Sequence, residues 1–346
     1  MILRIVACLI WMNFIGINLI GMNQTLNHSL IDGCMILNSP HGNNEVVSAL
    51  AMSPDCETIV IGALDKKIAV LKKQASNKYV CDQMLEGHNN FVRALIMSTD
   101  CKTIVSGSGD RTVRVWKLQD GGKYTCVQVL TGHDYWIRAL AMSADCETIV
   151  SAVGEIAVWK KQNSGEYRCI QVLKDHELVK GLAMSLDGKT LISAGSLDGK
   201  IMVWRLQENG LYECMQILND DESGIDILAM SIDCSTIISG SSKTIRIWKL
   251  QNNNEYKCVQ ILTALEHVHS LAISVDCQTI VSGSSDTTVA RIRIWNLEND
   301  EYKCVKVLEG HKSSVDELAI SSDCNTIVSG SWDGTIRIWD MLYFLA

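Results

Sequence analysis

From about residue 34 onward the chain alternates short apolar runs with clusters of Ser, Asp, Gly and Asn. The runs are five to eight residues long, as in "FVRALIMS", "TIVSGS", "TVRVW" and "YTCVQVL" between Phe91 and Leu130. They are rich in Val, Ile and Thr and too closely punctuated for helices, so they predict strands joined by tight turns. Labelled a to d in chain order, four such strands make one unit. In "YTCVQVL" a strict period of two puts Tyr124, Cys126 and Gln128 on one face and Val127 and Val129 on the other.

The unit recurs. Aligned on "TIVSGS" and on the tryptophan that follows, the chain contains seven units closing at Trp116, Trp159, Trp204, Trp248, Trp295 and Trp339, 43 to 47 residues apart, with Leu71 in that place in the first. A fixed period of this length signals stacked equivalent units rather than two or three independent domains. A twisted four-stranded sheet cannot bury both faces alone, and radial packing of several such sheets solves the problem. The expectation is an all-β fold, a seven-bladed β-propeller of four-stranded antiparallel blades. After Trp339 no fourth strand follows, whereas "CMILNSPHG" at residues 34–42 resembles the d-strand passages "CVKVLEGH" and "CMQILNDD". Residues 34–37 are therefore expected to supply the outer strand of the last blade and hide its edge. This divides the chain into an apolar N-terminal segment, residues 1–33, and a propeller, residues 34–346.

Composition adds exclusions. Of the 346 residues 47% are hydrophobic, enough for a large core. A net charge of −8 offers no general attraction to nucleic acid, and no nucleic-acid partner is expected. Fourteen cysteines suggest disulfides or zinc by count alone. Their positions suggest neither. Cys56, Cys101, Cys146, Cys234, Cys277 and Cys324 all lie in "DC-x-T-I", while Cys34, Cys81, Cys126, Cys169, Cys214, Cys258 and Cys304 mostly precede an apolar run. No CxxC pair occurs, so neither a metal nor a cofactor is expected. Thiols serving as small turn and strand residues fit a reducing compartment.

At this point the residues carry a family resemblance. "GH" at Gly87-His88, Gly132-His133 and Gly310-His311, followed a little under thirty residues later by a "VW" or "IWD" ending, resembles the WD-repeat β-propeller family over roughly residues 34–340. The resemblance implies a hydrogen-bonded cluster in each blade: a His before strand a, a Ser or Thr in strand b, an Asp in the b–c turn and the Trp of strand c. Blade two has the full set in His88, Ser106, Asp110 and Trp116, and blade seven has it in His311, Ser329, Asp333 and Trp339. Blade three has His133, Ser151 and Trp159 but a b–c turn two residues short and without Asp. Blade four has His176, Ser193, Asp198 and Trp204 at shifted spacing. Blade five has Asp221 at the His position and no turn Asp before Trp248; blade six has Ala264 there and three extra residues in "DTTVARIRIW". Blade one has Asp65 and Leu71 alone. A complete cluster satisfies its own buried polar groups, so blades two and seven are expected to be the stiffest and blades one and five the softest.

No catalytic residue is expected. Each His-Ser-Asp set coincides with the structural cluster, packed under a Trp where a nucleophile cannot meet a substrate. "GSGDRT" lacks the Gly-Lys-Ser/Thr and the helix of a phosphate loop. His267 and His269 share one strand face, but no third metal ligand accompanies them. The functional signal lies at the start of each strand a, which in the resembled family faces the narrow, ligand-binding end of the ring. Projecting there are Phe91 and Arg93, Trp136 and Arg138, Leu178 and Lys180, and Gly224 and Asp226. His267 and His269, Ser314 and Asp316, and Val46 and Ser48 complete the set, and Trp332 should reach the same rim from the b–c turn of blade seven. Arg93, Arg138 and Lys180 form a basic arc beside Phe91 and Trp136, residue types that anchor interfaces. Ordinary blade packing is the competing role for the two aromatics. Asp226 and Asp316 make the far side of the ring acidic.

These residues and the resemblance together imply a non-enzymatic scaffold that binds a partner peptide or protein on the narrow face, in particular an acidic or phosphorylated segment. The expected form is a monomer within a larger complex. Residues 1–22 are apolar with a single Arg4, which leaves a second expectation: a membrane-tethered or secreted propeller, in which "NQT" and "NHS" at Asn23 and Asn27 are sequons. A secretory route would carry thirteen unpaired cysteines into an oxidising lumen. A cytoplasmic protein is therefore expected, with membrane contact only if residues 1–22 act as an anchor.

Overall fold

The computed structural model describes residues 28–31, 33–42, 45–174, 176, 178–219, 224–285 and 290–345. Within them the strands assemble into seven antiparallel sheets, six of four strands and one of five. Blade two shows the common plan, from an inner strand a, Val92–Met97, through b, Thr103–Ser108, and c, Val113–Leu118, to an outer d, Tyr124–Leu130. Each strand a touches strand a of the next blade, and the seventh touches the first, so the ring is closed. The expected seven-bladed propeller is the observed fold.

Closure falls where the sequence placed it. Cys34–Asn38 pairs antiparallel with Thr335–Asp340, Cys34 opposite Trp339, as the fourth strand of blade seven. Two features were not anticipated, because neither repeats. A fifth strand, His28–Ile31, pairs outside Cys34–Asn38, and a short helix, Met341–Leu345, follows the last strand.

The core lies between blades rather than within one centre. Val105, Val113 and Val115 of blade two pack against Ile149, Ala157 and Trp159 of blade three, and similar clusters fill the other junctions. Each sheet thereby buries both faces against its neighbours. The strict alternation expected of the d strands does not hold. A bulge between Cys126 and Gln128 sets Cys126 opposite Trp116 but Gln128 opposite the adjacent Val115, so Cys126 and Gln128 fall on opposite faces instead of sharing one. An extra residue on one strand re-aims every side chain beyond it.

The Asp-Cys pair is a turn device. Cys56, Cys101, Cys146, Cys234, Cys277 and Cys324 all adopt left-handed backbone, φ 51 to 60°, and in blade four Gly188 holds that place at φ 68°. The Asp before the cysteine fastens the turn: Asp100 accepts from the Ser98 hydroxyl at 2.6 Å and from the Lys102 N–H at 3.0 Å. The Cys101 carbonyl in turn accepts the Tyr124 hydroxyl of strand d at 2.5 Å.

Candidate functional site

Each complete cluster inside a blade is a polar relay. In blade two the Trp116 indole donates to Ser106 Oγ at 2.9 Å, which lies 2.8 Å from His88 Nε2, and His88 Nδ1 lies 2.8 Å from Asp110. With Asp110 accepting from Nδ1–H, Nε2 is left to accept the serine proton. Burial alone would raise the Asp110 carboxyl, but hydrogen bonds from His88, Thr112 and the Asn89 N–H hold it far below the usual range. Blade seven repeats the arrangement with Trp339, Ser329, His311 and Asp333. Burial pushes the His311 pKa down, although Asp333 favours its charge. Ser106 and Ser329 are both 0% exposed, so the triad-like geometry offers no reachable nucleophile.

The other blades agree with the sequence reading in blade four, whose four residues it named, and correct it in blades one and six. Blade four is complete despite its spacing, with Ser193 2.8 Å from both Trp204 and His176, and His176 2.8 Å from Asp198. Blade one is not limited to Asp65 and Leu71: His41 Nδ1 meets Asp65 at 2.9 Å, and its Nε2 faces the Ile61 carbonyl at 3.3 Å because Ile61 stands in the serine place. The reversed order "HG" in "SPHG" concealed it. In blade six an acid replaces the histidine function, since the buried Glu266 carboxylate bonds Arg291 and Arg293, each at 2.5 Å. Blade three keeps only His133, Ser151 and Trp159, joined at 2.7 and 2.8 Å. Asp221 lies outside the described residues.

The predicted partner residues do converge. Arg93, Arg138, Lys180, Asp226, His267, His269 and Asp316 line one axial cavity of about 340 Å³, together with Ser48 and Glu317. Bulges put several of them there. Strand a is irregular between Val92 and Ala94, Val179 and Gly181, Val268 and Ser270, and Val315 and Glu317, and the residue at each irregularity is Arg93, Lys180, His269 or Asp316. Glu317 was missed because a period of two turns it away from the cavity that Asp316 faces; the bulge brings both to it. Burial and the neighbouring Asp316 charge push the Glu317 carboxyl well above the usual range.

The expected basic arc of three is in fact an arc of two. Lys180 Nζ is 2.5 Å from Asp226, whose other oxygen lies 3.2 Å from His267 Nε2. Asp316 accepts the Trp332 indole N–H, and its other oxygen lies 3.9 Å from His269 Nδ1. The His267 and His269 rings are 4.7 Å apart, and burial pushes the His269 pKa down. The far side of the ring is acidic in composition: Asp226 is ion-paired with Lys180, whereas Asp316 Oδ1 is buried without a hydrogen-bond partner. Arg93 and Arg138 make no ion pair among the described residues. Burial, and then the charge of Arg93, lowers the Arg138 pKa, and the Arg93 Nε is buried without a partner. Arg93 sits 5.2 Å over the Phe91 ring, which meets Trp136 edge-on at 5.0 Å. Phe91 is thus half-buried in packing, whereas Trp136 remains 45% exposed.

A second cavity of about 420 Å³ adjoins the first between blades three and four. Tyr135, Trp136, Val153, Leu178 and Leu197 give it an apolar lining, and Arg138 lines both cavities. Tyr135, Val153 and Leu197 had not been singled out; the short b–c turn of blade three was the available signal. Among the described residues no group of His, Cys, Asp and Glu is placed to hold a metal, and no helix is long and apolar enough to cross a membrane.

Seven radial sheets, an axial cavity and a Trp-Ser-His-Asp relay in the blades define a propeller of the WD type. A family model described as "WD domain, G-beta repeat" matches residues 79–117, 124–155, 167–205, 212–249, 256–290 and 302–340, and the chain belongs to that family. Every match begins in strand d of one blade and runs into the next, the offset that lets the chain ends share a blade. Strands a to c of blade one are unmatched, and there Ile61 and Leu71 replace the serine and tryptophan. No curated protein sequence matches the chain. Propellers of this family typically serve as protein-interaction scaffolds.

Proposed function

We propose that this propeller is a non-enzymatic scaffold that receives an extended acidic or phosphorylated segment of a partner protein on its narrow face. The observation that carries the reading is the pair Arg93 and Arg138, two guanidiniums on neighbouring blades that face one cavity and make no ion pair among the described residues, although Asp226 and Glu317 lie within electrostatic reach. A guanidinium binds carboxylate or phosphate through two parallel hydrogen bonds. Phe91 and Trp136 supply apolar contact beside them, and Asp226 and Asp316 disfavour an anion that enters on the far side. The net charge of −8 speaks against nucleic acid. A cytoplasmic monomer acting within a larger complex belongs to the same reading, with membrane attachment through residues 1–22 as the competing arrangement. Localising a tagged chain separates the two.

The site is tested by charge reversal. Arg138→Glu is expected to weaken partner capture by about 2 kcal/mol or more if the pair it makes is desolvated. Asp233→Lys is the control, because the a–b turns lie at the opposite end of the strands from the start of strand a. Capture that survives Arg93→Glu combined with Arg138→Glu, but is lost on changing the opposite rim, would refute the narrow-face assignment.

A further inference from the structure

The apolar cavity between blades three and four arises from a deletion. Ser151 and Trp159 are eight residues apart, where Ser106 and Trp116 of blade two are ten apart. The lost residues include the aspartate that caps the histidine elsewhere, so His133 keeps only its serine bond. The shortened turn leaves Val153 and Gly154 along a cavity whose other walls are unusually wet for their chemistry. Tyr135 is 67% exposed, Leu197 64% and Trp136 45%, three large apolar side chains around one opening. A monomer seldom leaves such a cluster in water unless something covers it.

Charge says what covers it. Arg138 lines both this cavity and the axial one, where Arg93 stands beside it without an ion pair among the described residues. An occupant must therefore offer apolar surface and an anion within a short reach of each other. An extended chain advances about 3.3 Å per residue, so an anion shared with Arg138 falls one or two residues from the apolar group. We infer that the groove takes one bulky apolar side chain of the partner segment, and that Arg138 and Arg93 bind an Asp or Glu carboxylate one or two residues away in the same segment. The inference rests on the proposed narrow-face function and narrows it to an apolar-acidic motif.

Selection of phage-displayed random dodecapeptides on the immobilised full chain tests it, followed by fluorescence polarisation of the enriched peptides. Enrichment of Leu, Ile, Met, Phe or Trp within two residues of Asp or Glu is the expected outcome. Gly154→Phe should then weaken binding at least about tenfold with an unchanged melting temperature. A side chain is tolerated there, because a Cβ on Gly154 meets only the Tyr135 ring, at 3.8 Å. Leu197→Asp, on an exposed turn, should act the same way and answers the question if Gly154→Phe folds poorly. Acidic peptides without an apolar residue, lost with Arg93→Glu and Arg138→Glu but indifferent to Gly154→Phe, would overturn the motif and leave the narrow-face function standing. A dimer in light scattering that Leu197→Asp dissolves would give the groove to a second copy and overturn it as well. Enrichment of nothing, or of peptides insensitive to all four substitutions, would sink both proposals.

Discussion

From blade one to blade six, each outer strand is tied to the next by a single glutamine amide. Gln83 donates to the Tyr124 carbonyl and accepts the Tyr124 N–H, both at 2.8 Å, and Gln128, Gln171, Gln216 and Gln260 do the same to Tyr167, Tyr212, Tyr256 and Tyr302. At blade seven the scheme changes. Lys306 stands where the next glutamine would be, and its ammonium lies 5.9 Å over the Phe344 ring of the C-terminal helix. Phe344 also packs on Trp339 at 6.0 Å, and the Asp340 N–H reaches the Gly33 carbonyl at 3.0 Å. The repeated junctions are thus held by neutral amides written into each repeat. The closing junction is held by segments from both ends of the chain, charge and aromatic packing. Loss of one amide leaves its neighbours intact, whereas loss of the closing strand leaves a sheet edge open and the ring unsealed.

Deleting residues 34–37 should do the most damage, abolishing the cooperative thermal transition or lowering it far more than deleting residues 1–22. Equal melting points for the two truncations would mean that closure does not carry the ring. Acid should come next and should act on blades seven and three, whose His311 and His133 are both pushed down by burial, before blade five. The folded-state pKa of His311 is lowered by burial, so the unfolded chain takes up its proton first, and stability falls as pH drops below about 6.5. The Asp333 carboxyl is shifted the other way. Burial would raise it, but the His311 hydrogen bond and charge, with the Thr335 bond, depress it, so its contribution persists above about pH 4 and is lost on further acidification. Hydrogen exchange at pH 5 should show Thr335–Asp340 opening ahead of the strands in blade five; the reverse order would break the comparison.

Phe344→Ala should cost about 2 to 3 kcal/mol in urea unfolding, somewhat below the range for a fully buried ring. Gln171→Leu should cost about 1 to 2 kcal/mol, because it leaves a tyrosine N–H and carbonyl without their partner. A glutamine effect larger than the Phe344 effect would invert the ranking of the two kinds of junction. Smallest of all is Cys101→Gly, expected to gain about 0.5 kcal/mol by relieving left-handed backbone against the added entropy of glycine, as Gly188 does in blade four.

The tryptophan spacing made the ring legible from sequence, and the likeness of residues 34–42 to later d strands made its closure legible. Both are repeated patterns. What escaped was non-repeating or non-local. The pairing of Lys180 with Asp226 joins residues 46 apart across two blades, and no alternation rule predicts it. Glu266 with Arg291 and Arg293 is an ionic substitute for a histidine cluster, invisible when the template asks for His. The bulges in strand a escaped because a period of two contains no signal for an extra residue. The apolar groove escaped because it is made by two missing residues in blade three and side chains from blade four.

Those bulges separate two kinds of information carried by one strand. The residues on either side of Arg93, Lys180, His269 and Asp316 keep the register of the sheet, while the bulged residue pairs with no residue of strand b and lines the axis. An exchange at such a position rewrites what the ring reads without repacking what it is built from. The axis behaves as a short text whose characters, one per bulged blade, are set largely apart from the core but read in pairs such as Lys180 with Asp226, so a new specificity requires new characters rather than a new fold.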